Sequence, residues 1–177
     1  MFPHLSLFLG GASSGKSALA ERFVRKQAAP HVYLATAQAL DDEMRFKILK
    51  HRADRGGGWQ TIEAPLDVAG ALRKLPSGGA VLLDCATVWL SNHLLAEGNL
   101  SAETDDLVAA LAACRAPVAI VSNEVGQGVV PDSALGRRFR DAQGRLNQRL
   151  AAEAGLVVFV TAGLPSVLKG AMPEGLA

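Results

Sequence analysis

The residues Gly10-Gly11-Ala12-Ser13-Ser14-Gly15-Lys16-Ser17 carry the spacing of a phosphate-binding loop: Gly, four residues, Gly, Lys, Ser. Each residue type has a physical task there. Glycines let backbone N–H groups close on phosphate oxygens, and the helix that follows adds the partial positive charge of its N-terminus. Lys16 is the catalytic cation, able to reach the terminal phosphates, and the Ser17 hydroxyl is a ligand for magnesium bridging them. The chemistry open to such a set is transfer of a phosphoryl or nucleotidyl group from a nucleoside triphosphate.

Further groups along the chain can join that chemistry. Asp84 ends the apolar run Ala80-Val81-Leu82-Leu83, the place where a carboxylate serves a magnesium site or, more plainly, caps the next helix. Thr36-Ala37-Gln38 follow the apolar run His31-Val32-Tyr33-Leu34-Ala35 and fall where open α/β sheets bind ligands. Glu63 ends Trp59-Gln60-Thr61-Ile62 and is either a surface carboxylate or a ligand contact. His51 shares a helical face with Met44 and Ile48, a spacing that by itself favours a core histidine or a helix-end cap over a nucleophile. The charged segment Arg52-Ala53-Asp54-Arg55 then leads into Gly56-Gly57-Gly58. That loop either moves over a ligand or merely connects. The glycine-rich segment Asn123 to Pro131 is a candidate substrate loop or a plain crossover.

These residues need elements to position them, and the pattern supplies them. Apolar runs alternate with helical ones, which predicts a single α/β domain over residues 1–177: a phosphate-loop fold of the RecA-like kind, with a mostly parallel sheet and helices on both faces. Strands are expected at Leu5–Leu9, 31–35, 59–63, 80–84, 118–122 and 156–161, the last of these ending the sheet. Helices are expected from Ser17, over 41–51, 67–75 and 87–96, then from a Ser101 N-cap to about Cys114 with Glu103, Asp105 and Asp106 in the first turn, and over 132–154. Arg137, Arg138, Arg140, Arg145 and Arg149 on that last helix are either a solvated face or phosphate clamps.

Composition narrows the class. A net charge of +1 gives no electrostatic reason for nucleic acid or an acidic membrane surface as partner. Cys85 and Cys114 stand far apart in apolar surroundings, which argues for buried thiols against a disulfide or zinc framework. No apolar stretch reaches membrane-spanning length, no basic leader precedes the first strand, and the expected compartment is the cytoplasm.

Taken together, the chain resembles the bifunctional adenosylcobinamide kinase / adenosylcobinamide-phosphate guanylyltransferase family of cobalamin biosynthesis. The resemblance rests on 10–17, on Ala35-Thr36-Ala37-Gln38 with Asp41-Asp42-Glu43-Met44, and on His51 with Arg55 and Trp59. It extends through Asn123-Glu124-Val125-Gly126-Gln127-Gly128-Val129-Val130-Pro131 to Phe139-Arg140-Asp141 and Gly144 to Leu150. It implies two reactions in one enzyme: phosphorylation of adenosylcobinamide by ATP or GTP with Mg2+, then transfer of GMP from GTP onto adenosylcobinamide phosphate. His51 matches the histidine that becomes guanylylated. Thr36 to Gln38, Arg52 to Arg55, Glu63 and Asp84 match guanine-nucleotide-binding positions. The chain departs from the family at Asp84, where some members have Glu, and at Ser13 or Ser14, where many carry a larger basic residue. A homo-oligomer, such as a trimer, is also implied. A phosphate-loop kinase of another small metabolite and a nucleotide-dependent switch are the competing expectations.

Overall fold

The computed structural model describes residues 2–39, 42, 45, 46, 48, 49, 53 and 56–176. His51, Arg52, Asp54 and Arg55 lie outside the described residues; of the 41–51 helix, the described positions 42, 45, 46, 48 and 49 are helical.

Seven strands and five helices are delimited among the described residues. They are β1 (Leu5–Gly10), α1 (Lys16–Arg25), β2 (His31–Ala35), β3 (Trp59–Glu63), α2 (Val68–Lys74), β4 (Ala80–Asp84), α3 (Ala86–Leu95), α4 (Leu100–Ala113), β5 (Val118–Asn123), α5 (Ala134–Glu153), β6 (Leu156–Thr161) and β7 (Leu164–Lys169). The sheet runs β3-β2-β4-β5-β1-β6-β7. Every described pairing is parallel except β6 with β7. This is the α/β phosphate-loop architecture expected from the alternation of apolar runs.

Strand alternation sorts the core into two layers, because successive side chains point to opposite faces. Leu5, Leu7, Leu9, Val81, Leu83, Val118 and Ile120 pack with Val68, Leu72, Trp89, Leu90, Leu107, Leu111, Leu146 and Leu150, so α2 to α5 cover that face. Phe8, Tyr33, Leu82, Ala119 and Val121 pack with Leu19, Ala20, Phe23 and Val24 of α1. Near-continuous burial along β1, β4 and β5 is what a central parallel sheet covered on both faces requires. Each fully buried Leu or Phe in these layers is worth about 1.5–3 kcal/mol.

Three local expectations are corrected. The sheet does not end at Thr161: a tight turn at Ala162 and Gly163, both with positive φ, reverses the chain into β7, an edge strand whose Pro165 and exposed side chains weaken the usual strand signal. The fourth helix starts at Leu100 with Asn99 as N-cap, its side-chain oxygen accepting from Ala102 N–H at 3.2 Å, so Ser101 is already inside the helix. Of the two cysteines, Cys114 is buried but Cys85 is only half-buried.

Candidate nucleotide site

β1 delivers the phosphate loop to the carboxyl edge of the sheet, beside the point where the chain's strand order turns back on itself, with β5 on one side and β6 on the other. Two glycines make the loop possible. A Cβ on Gly10 would sit 2.5 Å from both Ser14 Oγ and Val160 O, and Gly15 holds φ 93°, which side-chain-bearing residues adopt at a cost. Ser14 O accepts from Gly163 N–H at 2.9 Å, and Gly10 O from Glu124 N–H at 3.1 Å. The loop is thereby tied to the turn after β6 and to the end of β5. α1 begins at Lys16 with no side-chain cap, so its first N–H groups face the loop's own concavity.

A cavity of about 470 Å³ opens at this edge. Lys16 and Ser17 line it from α1, Tyr33 from β2, Glu63 from β3, Asp84 from β4 and Val121 and Asn123 from β5, with Ala37, Gln38, Ile48, Cys85 and Val88 completing the wall. Register explains the convergence: Ala35 lies opposite both Glu63 and Asp84, Asp84 opposite Val121, and Asn123 opposite Gly10. Alternation then puts Tyr33, Asp84, Val121 and Asn123 on the face covered by α1, where Lys16 emerges.

Electrostatics within the cavity follow from burial. Lys16 is only 7% exposed and its Nζ donates to Gly11 O at 3.0 Å. Desolvation pulls its pKa below the ordinary lysine value, partly offset by attraction to Cys85 and Asp84. Desolvation and the neighbouring Asp84 push the Cys85 thiol up to about 11, so it is held as a neutral thiol at physiological pH. Tyr33 Oη donates to Asp84 Oδ2 at 3.0 Å. Asp84 does not cap α3. The N-cap is Cys85, whose sulfur accepts from Val88 N–H, and the carboxylate is left to the cavity.

The expected nucleotide-binding positions divide. Lys16, Ser17, Ala37, Gln38, Glu63 and Asp84 line one cavity, whereas Thr36 stands behind it, fully buried. Its Oγ1 donates to Cys85 O at 2.8 Å and accepts from Cys85 N–H at 2.9 Å. Thr36 therefore braces the turn that presents Asp84. Asn92 of α3 adds to the brace, its Nδ2 donating to Thr36 O and to Pro65 O at 3.0 and 2.8 Å. Ala53 is exposed and does not line the cavity. Of the segment 123–131, only Asn123 does. Arg137 donates to Pro131 O and Asp132 O, and Arg140 to Gly126 O, so these two arginines tie the loop to α5, and neither lines the cavity. Tyr33, Cys85 and Val121 were not marked by their sequence context. The signal that could have found them is their place on the strands whose carboxyl ends meet at the cavity: Tyr33 within β2, Cys85 directly after β4 and Val121 near the end of β5.

Fold and site together define a phosphate-loop nucleotide-binding protein. A solved ATPase of a type III secretion system shares the fold at a TM-score of 0.55 and 11% identity, covering 97% of this chain and 60% of its own. A Pyrococcus horikoshii OT3 protein does so at 0.52 and 13%, covering 98% of this chain and 90% of its own. Residues 6–168 match the family described as cobinamide kinase / cobinamide phosphate guanyltransferase, and the chain belongs to that family. It is 45% identical over 167 residues to the bifunctional adenosylcobalamin biosynthesis protein CobP of Pseudomonas aeruginosa, covering 93% of this chain and 96% of that one. It is 40% identical over 181 residues to CobU of Salmonella typhimurium, which carries the same bifunctional description, covering 92% and 98%.

Proposed function

We infer that this chain is a bifunctional enzyme of adenosylcobalamin biosynthesis, acting in turn as adenosylcobinamide kinase and adenosylcobinamide-phosphate guanylyltransferase. The observation that carries the reading is the convergence of Lys16, Ser17 and Asp84 on one cavity in a chain of this family. Lys16, poised with its charge desolvated, offsets the charge that develops on transferred phosphate oxygens, where a low local dielectric makes it effective. Ser17 and Asp84 offer a hydroxyl and a carboxylate, the oxygen donors magnesium takes when nucleotide phosphates supply the remainder. Bound there, the ion would neutralise charge on the phosphates. Glu63 and Gln38 supply an acceptor carboxylate and an amide for a guanine edge.

In the first reaction the acceptor hydroxyl attacks the γ-phosphorus of ATP or GTP, the bond to the β-phosphate oxygen breaks and the hydroxyl proton is lost. In the second, a neutral ring nitrogen of His51 attacks the α-phosphorus of GTP and pyrophosphate leaves. A phosphate oxygen of adenosylcobinamide phosphate then attacks the same phosphorus, the N–P bond breaks and adenosylcobinamide-GDP forms. Support for His51 in this role comes from the chain's membership of the family, in which the matching histidine becomes guanylylated. Dividing the transfer in two avoids pressing two anions together in one step.

The test is to incubate the protein with GTP and Mg2+, weigh the intact chain, and then add adenosylcobinamide phosphate. A GMP-sized adduct that the corrinoid discharges is the expected result. Absence of an adduct, with nucleotide turnover indifferent to corrinoid, would overturn the reading.

A further inference from the structure

Asn123 is held more tightly than any strand end needs to be. Its N–H donates to Thr87 Oγ1 at 2.7 Å, and its carbonyl accepts from Asn147 Nδ2 at 3.0 Å. The two clamping side chains come from different helices, α3 and α5, and both are buried. They are joined beneath the strand by Ser122, whose side chain alternation sends to the opposite face. Ser122 Oγ donates to Asn147 Oδ1 at 2.7 Å, Gln143 Nε2 donates to Ser122 Oγ and Asn147 Oδ1 at 3.0 and 2.9 Å, and Thr87 Oγ1 lies 3.5 Å from Ser122 Oγ. Ser122 and Gln143 are fully buried.

Four polar side chains inside an otherwise aliphatic layer are an expensive way to finish a strand. Strand ends at a sheet edge ordinarily leave their last polar groups to water, and apolar residues of the same size would pack at less cost. Such a network is justified where it holds one side chain in place, as supporting shells do around reactive groups. What it holds is the backbone of Asn123, and with it the direction in which the Asn123 side chain leaves the strand, into the cavity wall on the α1 face with Lys16 on the adjoining helix and Asp84 on the next strand. Asn123 is also level with Gly10, where the phosphate loop starts. Its strand, β5, lies in the sheet between β4, which ends at Asp84, and β1, which leads into the phosphate loop.

We propose that Asn123 is a further residue of this site, beside Lys16, that contacts the terminal phosphate of the bound nucleoside triphosphate, and that Thr87, Ser122, Gln143 and Asn147 are positioning residues that fix its backbone and so aim its amide. An amide suits the place because its NH2 can donate to a phosphate oxygen while adding no charge. A carboxylate there would repel the phosphate, and a second cation would hold it after transfer. The proposal deepens the phosphate-transfer reading above by naming a group that distinguishes triphosphate from diphosphate.

The test measures binding without turnover. Affinities for α,β-methylene GTP, whose α–β bridge guanylylation cannot break, and for GDP are compared by calorimetry in the full chain for wild type, Asn123→Ala, Asn123→Asp and Asn147→Asp. Asn123→Ala weakens the triphosphate analogue about tenfold while GDP changes less than about twofold, and Asn123→Asp weakens the analogue further through repulsion. Asn147→Asp keeps the acceptor oxygen but loses the donor to Asn123 O, and it shows the same selective loss at smaller size. Equal losses for analogue and diphosphate, or none, in both Asn123 variants overturn the assignment. A lowered melting temperature with an unchanged analogue-to-GDP ratio in Asn147→Asp overturns the positioning role. No corrinoid or guanylylation enters this assay, so its result is independent of the adduct test above.

Discussion

Tyr33 Oη donates a hydrogen bond to Asp84 Oδ2 at 3.0 Å, joining the middle of β2 to the end of β4 within the cavity. The phenol fixes one carboxylate oxygen and with it the direction in which Asp84 faces Ser17 and Lys16. Tyr33→Phe keeps the ring in the α1-face core and deletes only the donor. A hydrogen bond to a charged acceptor is worth about 1.5–3 kcal/mol when buried, and less at a cavity wall where water substitutes. The half-saturating Mg2+ concentration for GTP binding should therefore rise several-fold, and Asp84→Asn should raise it further by removing the charge itself. Titration of magnesium against nucleotide binding reads both. Unchanged magnesium dependence in Asp84→Asn removes Asp84 from the metal site.

Lys16 yields a prediction with a sign. Burial lowers its pKa from the ordinary lysine value, so between the lowered pKa and that ordinary value the unfolded chain binds more protons than the folded one, and stability contributed by this group rises with pH. Below the lowered pKa the penalty for burying the charge is present in full. Lys16→Met, which fills the space without charge, should raise the melting temperature of the nucleotide-free protein at pH 7 by a few degrees, about 2–4 °C per kcal/mol for a chain of this size. The gap should narrow as pH approaches the ordinary lysine value. GTP binding should meanwhile weaken by about 100-fold. A gap that widens with pH would contradict the burial argument.

Much of this site can be read from the sequence, for reasons that differ residue by residue. The loop 10–17 and the helix after it are local: spacing, apolar run and helix-forming residues lie within one stretch. Asp84 and Glu63 are legible as ends of short strands, because a carboxylate that stops an apolar run marks the sheet edge. Tyr33, Thr36 and Asn123 take their roles from partners 51, 49 and 24 to 36 positions away, and no local pattern encodes such pairings. The cap of α3 is hidden for another reason, since cysteine seldom serves as an N-cap and aspartate often does. β7 is hidden by Pro165 and by its exposure, which blunt both composition and alternation.

Thr36→Val tests the brace behind the cavity. The substitution nearly preserves shape but leaves Cys85 N–H and C=O without the hydroxyl that now satisfies both. The cost should be on the order of 2 kcal/mol, a fall of about 4–8 °C in melting temperature. Nucleotide affinity should fall as well, through the displaced Asp84, although Thr36 does not line the cavity. A variant with lowered stability and unaltered magnesium-dependent binding would show that the turn at Cys85 tolerates the loss locally.

The final prediction separates the two proposed reactions through His51. On the proposed reading, phosphoryl transfer from the γ-position would use Lys16, Ser17, Asp84 and magnesium, none of which His51→Ala removes. Transfer of GMP through a covalent intermediate would use His51 as the nucleophile at the α-phosphorus, which His51→Ala does remove. GMP transfer should accordingly fall by several orders of magnitude while adenosylcobinamide phosphorylation persists. In the wild type, label from the α-phosphate of GTP should remain with the protein and label from the γ-phosphate should not, because the bond broken lies between the α- and β-phosphates. A phosphorus–nitrogen bond should release that label in acid and keep it in alkali, the reverse of a serine ester. Retention of α-label by His51→Ala would show that another group is guanylylated, and the alkaline stability of that adduct would then indicate whether nitrogen or oxygen carries it.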